Sequence, residues 1–189
     1  IDRYTKILEM CDLEVEALET EIISASRALL PSSPSKPLTV MVVNLGAKTT
    51  DLSILRNGVI AFTRSIPSGG ENFTRVLSQD LGFALPQAEE YKKTYGLKKD
   101  QLEGKVYRSL RPLFAVTVEE IKRSVTFFQN KFPDEVVSVI ILSGGSAKLP
   151  GLVESLVEEI GIETQVGNPW TRVDKDPKRF QRIEEEGST

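Results

Sequence analysis

Residues 38–66 read LTVMVVNLGAKTTDLSILRNGVIAFTRSI, and the fold turns on this stretch. Leu38 to Leu45 is rich in β-branched and apolar residues, the mark of a buried strand. Gly46-Ala47-Lys48-Thr49 is a turn, and Thr50 to Arg56 and Val59 to Ile66 are two further strands. Asn57-Gly58 between them is the strongest short-range hairpin signal, because both positions tolerate the positive φ of a two-residue turn. The expectation is a three-stranded antiparallel meander.

Working downstream, Ser68-Gly69-Gly70-Glu71 matches a capping box. Phe73, Val76, Leu77 and Leu81 follow at helical spacing, so a helix runs to about Gly82. Pro86 marks the start of a second helix that carries Ala88-Glu89-Glu90-Tyr91-Lys92 up to Tyr95-Gly96. Lys98 to Lys105 is polar and reads as a loop. Tyr107 to Phe132 reads as a long helix with Leu113, Val116, Ile121, Val125 and Phe128 on one face, and Pro112 as an early kink. Val136 to Leu142 is an apolar run of strand length, suited to a strand covered on both faces. Ser143-Gly144-Gly145-Ser146 ends it, Pro150 to Ile160 is a helix and Ile162 to Val166 a strand, which together make a βαβ unit. Beyond Trp170 the chain is highly charged, and a mobile tail is expected.

Upstream, Ile1 to Cys11 reads as a short amphipathic helix, Glu14 to Leu18 as a brief strand and Glu19 to Leu30 as a helix. Pro31-Ser32-Ser33-Pro34-Ser35-Lys36-Pro37 cannot continue a helix and reads as a connector. The fold class is α/β: a mixed sheet with an antiparallel meander followed by a βαβ unit, plus a mostly helical insertion.

Composition narrows the chemistry. A net charge of −3 offers no basic surplus for a nucleic-acid backbone, so no nucleic-acid partner is expected. Histidine is absent, which removes Ser-His-Asp and Cys-His catalysis and the usual zinc sites. The single cysteine, Cys11, forbids an intrachain disulfide and reads as a buried structural thiol. No apolar run reaches the length of a membrane span. The chain begins at Ile1 rather than methionine, which suggests a piece of a longer protein.

Three segments can carry chemistry. In Asn44 to Asp51, a buried strand delivers a tight turn in which Gly46 lets an oxygen-bearing ligand approach the amides. Thr49 adds a hydroxyl, Lys48 positive charge, and Asp51 a carboxylate able to orient metal-bound water. Taken alone, this segment reads equally well as a hairpin turn. Gly144-Gly145-Ser146, with Leu149 and Pro150 beyond, lies between a strand and a helix, where paired glycines let a flat ring or ribose lie against the backbone and helix-start amides favour an anion. It is neither a Walker loop nor GxGxxG, and ordinary strand-to-helix turns look similar. Glu89 and Lys92 are neighbours on one helix face, which by itself describes a solvated surface pair.

In this order the segments resemble the second half of the actin, heat-shock chaperone and cell-division FtsA superfamily. Within it, Leu45-Gly46-Ala47-Lys48-Thr49-Thr50-Asp51-Leu52-Ser53, Gly69-Gly70-Glu71-Asn72-Phe73-Thr74, Lys92-Lys93-Thr94-Tyr95-Gly96 and Gly167-Asn168-Pro169-Trp170 are especially similar to the PilM family of type IV pilus assembly proteins. The resemblance runs from about Asp2 to Pro177 and implies an actin-like (ribonuclease H-like) second lobe. Residues 1–37 would be the end of a first lobe and the interlobe connector, 38–82 and 133–177 the core of the second lobe, 83–132 a helical insertion and 178–189 a tail.

The resemblance further implies ATP and Mg²⁺. Asn44, Gly46, Ala47, Lys48 and Thr49 would face the phosphates. Glu89, Lys92, Gly144, Gly145, Ser146 and Leu149 would face the ribose and base, and Asn44 and Asp51 the metal through water. It implies a cytoplasmic platform at the inner face of the membrane, engaging the N-terminal peptide of a PilN-like membrane protein mainly through first-lobe surfaces, with self-association possible. Asn44 stands where the family has aspartate, so at most weak hydrolysis is expected. The alternatives are a catalytically inactive actin-like scaffold, an FtsA-like membrane-recruited division protein, and a sugar or acetate kinase of the same superfamily.

Overall fold

The computed structural model describes residues 1–30 and 38–172. The expected connector at 31–37 and the tail beyond residue 172 lie outside them. A single five-stranded sheet organises the chain, in the order β3-β2-β1-β4-β5. Strands β1 (Thr39–Leu45), β2 (Thr50–Arg56) and β3 (Val59–Ile66) form the antiparallel meander. Strands β4 (Val139–Ser143) and β5 (Glu163–Val166) add in parallel on the other side of β1. Asn57 and Gly58 both have positive φ, 51° and 80°, as a two-residue hairpin turn demands.

Strand β1 is an apolar run because both its faces are covered. Met41, Val43 and Leu45 enter the main core, while Val40 and Val42 enter a smaller cluster on the opposite face. The main core is closed by helices α3 (Gly70–Leu81), α4 (Leu85–Tyr95), α5 (Lys105–Lys131) and α6 (Leu152–Ile160). Leu29, at the end of α2 (Glu21–Leu29), packs on the opposite face. Helix α1 (Asp2–Glu9) buries none of its residues.

Several expectations are corrected. Glu14 to Leu18 forms no strand: Leu13 and Leu18 are exposed, and among the described residues no neighbouring strand lies there to take up the hydrogen bonds. Cys11 is exposed, since α1 has nothing to bury it against among the described residues. Helix α5 has Pro112 in its interior, and its inward face carries Leu110, Phe114, Thr117, Val118 and Ile121, leaving Val116 exposed. The polar stretch before it, read as a loop, holds a tight turn at Gln101–Gly104 in which Leu102 and Glu103 take positive φ, 47° and 54°. Strand β4 starts only at Val139, Val136 being exposed. Phe114 is 1% exposed at the centre of the α5 contact, so Phe114→Ala is expected to cost about 3–5 kcal/mol of stability in urea unfolding.

Candidate functional site

The β1–β2 turn is held from outside. Main-chain amides of Gly70 and Glu71, the first of α3, donate to the carbonyls of Gly46 and Ala47, each at 2.9 Å. They are orphan donors of a helix N-terminus, and the turn satisfies them in place of a capping box. Ser68 makes no cap hydrogen bond, its hydroxyl is buried without a partner, and Glu71 pairs with Arg75 instead. A Cβ on Gly69 would lie 2.6 Å from both turn carbonyls, so no other residue permits this approach. Within the turn, the Gly46 amide donates to the Thr49 carbonyl at 3.0 Å, and the Thr49 hydroxyl donates to the Asp51 carboxylate.

A second main-chain contact joins the end of α4 to the segment before α6. The Leu97 amide donates to the Pro150 carbonyl at 2.7 Å, where Gly96 (φ 51°) brings the chains too close for a side chain. Helix α6 therefore starts at Leu152 rather than Pro150, after a separate 3-10 turn, Gly145–Lys148. The paired glycines head that turn and not the long helix. Gly144 packs inward against Asn44 Oδ1 and the Leu45 carbonyl, whereas Gly145 faces open space.

Between these contacts lies Lys92, 6% exposed. Its Nζ donates to the Gly70 carbonyl at 3.0 Å and the Thr74 hydroxyl at 2.9 Å, and pairs with Glu89 Oε2 at 2.7 Å. Three donors meet three acceptors, as burial of an ammonium requires. The Thr74 hydroxyl also reaches Glu89. Burial pushes the Glu89 carboxyl up, but hydrogen bonds from Lys92 and Thr74, with the charges of Lys92 and Lys93, outweigh it and hold the carboxyl below its ordinary 4.5.

These elements surround an open cleft of about 620 Å³. Of the residues read from the sequence, Gly46, Ala47, Glu89, Lys92, Gly145, Ser146 and Leu149 line it. Asn44, Lys48, Thr49, Asp51 and Gly144 do not. Gly70, Glu71, Lys93 and Lys148 also line it and were not singled out as site residues; the Gly69-Gly70-Glu71 motif was the available signal. Lys92 sits in the floor with its protons directed at protein acceptors, so it shapes the cleft as much as it faces it. Asn44 turns to the other face of the sheet, donating to Glu21 Oε1 at 2.9 Å and accepting from the Ser143 hydroxyl at 3.3 Å. Among the described residues no group of three or more acidic, histidine or cysteine side chains gathers as a metal cage, and no helix is long and apolar enough to cross a membrane.

Lys92→Met leaves the Gly70 carbonyl without this donor and removes one of Glu89's partners, and about 1–3 kcal/mol of stability should be lost in denaturant unfolding. For Glu89 the lowered pKa means that its contribution is complete at neutral pH and disappears only as pH falls through the folded-state value. Stability of Glu89→Gln measured from about pH 3 to 5 should accordingly vary less with pH than the parent's.

Comparison with known proteins places this geometry. The model of the family "Type IV pilus assembly protein PilM" matches residues 3–188. The solved PilM-PilN type IV pilus biogenesis complex superposes with a TM-score of 0.75 at 28% identity, covering 93% of this chain and 50% of that one. The cell division protein FtsA of Neisseria meningitidis serogroup B is 27% identical, over 89% of this chain and 45% of its own length. MreB 5 of Spiroplasma citri bound to AMPPNP superposes with a TM-score of 0.67 at 16% identity, covering 98% of this chain and 65% of that one, a likeness of fold alone. The fold is the actin-like α/β fold, and the chain spans about half the length of the FtsA and PilM relatives it matches. The chain belongs to the type IV pilus assembly protein PilM family.

Proposed function

We propose that this chain forms one wall of an ATP-binding cleft in a protein that serves as a platform for type IV pilus assembly. The observation that carries the reading is the single cleft in which the β1–β2 turn, the start of α3, the α4 pair and the Gly145 turn converge. In this reading the turn's open side, where the amides of Ala47, Lys48 and Thr49 have no main-chain partner among the described residues, takes phosphate oxygens. Gly145, Ser146 and Leu149 take the ribose and base. Residues 83–132 act as a helical insertion on the second-lobe core. The AMPPNP bound to an MreB of the same fold supports a nucleotide ligand. The PilM-PilN complex supports a PilN-like membrane partner and a cytoplasmic station beside it.

Asn44 and Asp51 are register partners across β1 and β2 and would be the oxygen donors for Mg²⁺ through water, but neither lines the cleft and Asn44 is engaged by Glu21 and Ser143, so as they stand they fit the ion poorly. Such an ion would neutralise phosphate charge. With an amide at position 44, binding is favoured over turnover, and an inactive scaffold is the second reading.

Gly145→Asp tests the cleft. Its added Cβ meets nothing within 4 Å, so the fold should survive with an unchanged Tm. The added carboxylate projects into the phosphate- and ribose-facing space, and ATP–Mg²⁺ affinity of the full-length protein should fall at least about tenfold, about 1.4 kcal/mol. Equal affinity in parent and variant would sink the assignment.

A further inference from the structure

The β2–β3 hairpin lies at the end of the sheet away from the cleft, since Arg56 stands opposite Thr39 while Thr50 stands opposite Leu45 beside the cleft turn. Strand β3 is the edge of the sheet. Its Phe62 and Ile60 face Ile54 and Leu55, so Ala61 is an extra residue, a bulge that bends the edge. Between that bend and the end of α5 opens a cavity of about 560 Å³, with Arg56, Val59, Ala61, Lys131 and Phe132 in its walls. Arg123, Phe127 and Lys131 follow at four-residue spacing on one face of α5 and extend the groove along the helix. Phe127 is 55% exposed and tilts against Phe62 with ring centroids 5.2 Å apart, and Val59 is 70% exposed.

Cations flank this apolar line. Arg64 and Arg123 share one carboxylate, Glu120, and Arg56 pairs with Glu135. Lys131 has no carboxylate partner among the described residues; it stands over the Phe132 ring, as Arg56 does. These four cations thus have two carboxylates as ion-pair partners, in a chain whose net charge is −3. Positive charge in surplus around exposed aromatic and aliphatic side chains complements a ligand of the opposite sign.

We propose that this groove docks an acidic segment of a partner protein, one that carries an aromatic or large aliphatic side chain between its carboxylates. The apolar side chain sits on Phe127 and Val59, and the carboxylates engage Arg64, Arg123 and Lys131. A concave groove fits a chain better than a flat lipid surface. The bulge at Ala61 interrupts the strand edge, so side chains rather than continuous strand pairing supply recognition. The groove shares no lining residue with the cleft and does not depend on the nucleotide reading.

Random peptides displayed on phage are selected on the full-length parent and on Arg123→Gln/Lys131→Gln, both exposed positions whose change should leave the Tm and ATP–Mg²⁺ affinity as they are. Peptides that prefer the parent should carry Asp or Glu on both sides of an aromatic or large aliphatic residue. Synthesised, they should bind the parent about tenfold or more tighter than either the double variant or Phe127→Ser, and less tightly as salt is raised. A selected set without that bias, or equal affinity for parent and variants, overturns the proposal. Pelleting of the parent with phosphatidylserine vesicles, or its self-association in sedimentation velocity, overturns it too if the double variant abolishes the effect, since the groove is then a lipid contact or a self-contact.

Discussion

The two hydrogen bonds from the Gly70 and Glu71 amides to the Gly46 and Ala47 carbonyls are the constraint on which the site depends. They lock the start of α3 to the tip of the β1–β2 turn at a distance only a glycine at position 69 allows. Once α3 is fixed, the Gly70 carbonyl points to where Lys92 can reach it, and Lys92 then draws α4 onto α3 through Thr74 and Glu89. Each step satisfies a polar group that would otherwise be buried without a partner, so the arrangement is closed by hydrogen bonding as much as by packing. The turn cannot shift without breaking the helix start, and the helix start cannot shift without stranding an ammonium.

The far end of α4 is fixed by a different device with the same logic. Gly96 and Gly151 let the main chains of Leu97 and Pro150 meet edge to edge, and this contact sets the distance from Glu89 to the Gly145 turn. Helix α4 is therefore held by the side-chain hydrogen bonds of Lys92 to α3 and, just past its C-terminal end, by a main-chain contact, while Ala88 in its middle is fully buried in the core. A cleft built this way has rigid walls. Its exposed members are Ala47, Gly145, Lys93 and Lys148, of which Lys93 pairs with Glu89 and Ala47 accepts from the Glu71 amide.

The strands, their hairpin and the order of the loops were legible in the sequence because period, turn chemistry and β-branching are local properties. So were most of the cleft residues, but through resemblance rather than through physics: Glu89 and Lys92 alone look like a surface pair, and only the tertiary partners Gly70 and Thr74 make Lys92 a buried one. The capping-box pattern at Ser68 misled for the converse reason. A local cap and a long-range cap satisfy the same amides, and the nearer pattern is visible in sequence while the carbonyls of Gly46 and Ala47 are not. The face of α5 was misjudged at Val116 because a helix of this length, Lys105–Lys131, presents several apolar stripes, and only packing selects between them. The strand pattern near the N-terminus fails in the same way. Val15 and Ala17 alternate with Glu14 and Glu16, yet a strand needs a neighbour to bond, and none is present there among the described residues.

Asn44 takes its meaning from its partners. Viewed alone, an asparagine where the family resemblance expects aspartate subtracts a charge, and the natural inference is lost chemistry. Viewed with its partners, the amide is the only side chain of that size able to donate to Glu21 and accept from Ser143 at once. An aspartate restored at position 44 would set two carboxylates in contact, and like charges at hydrogen-bond distance raise the pKa of one of them. The substitution that looks like a simple reversion is therefore not one: it changes the charge of a hydrogen-bonded pair.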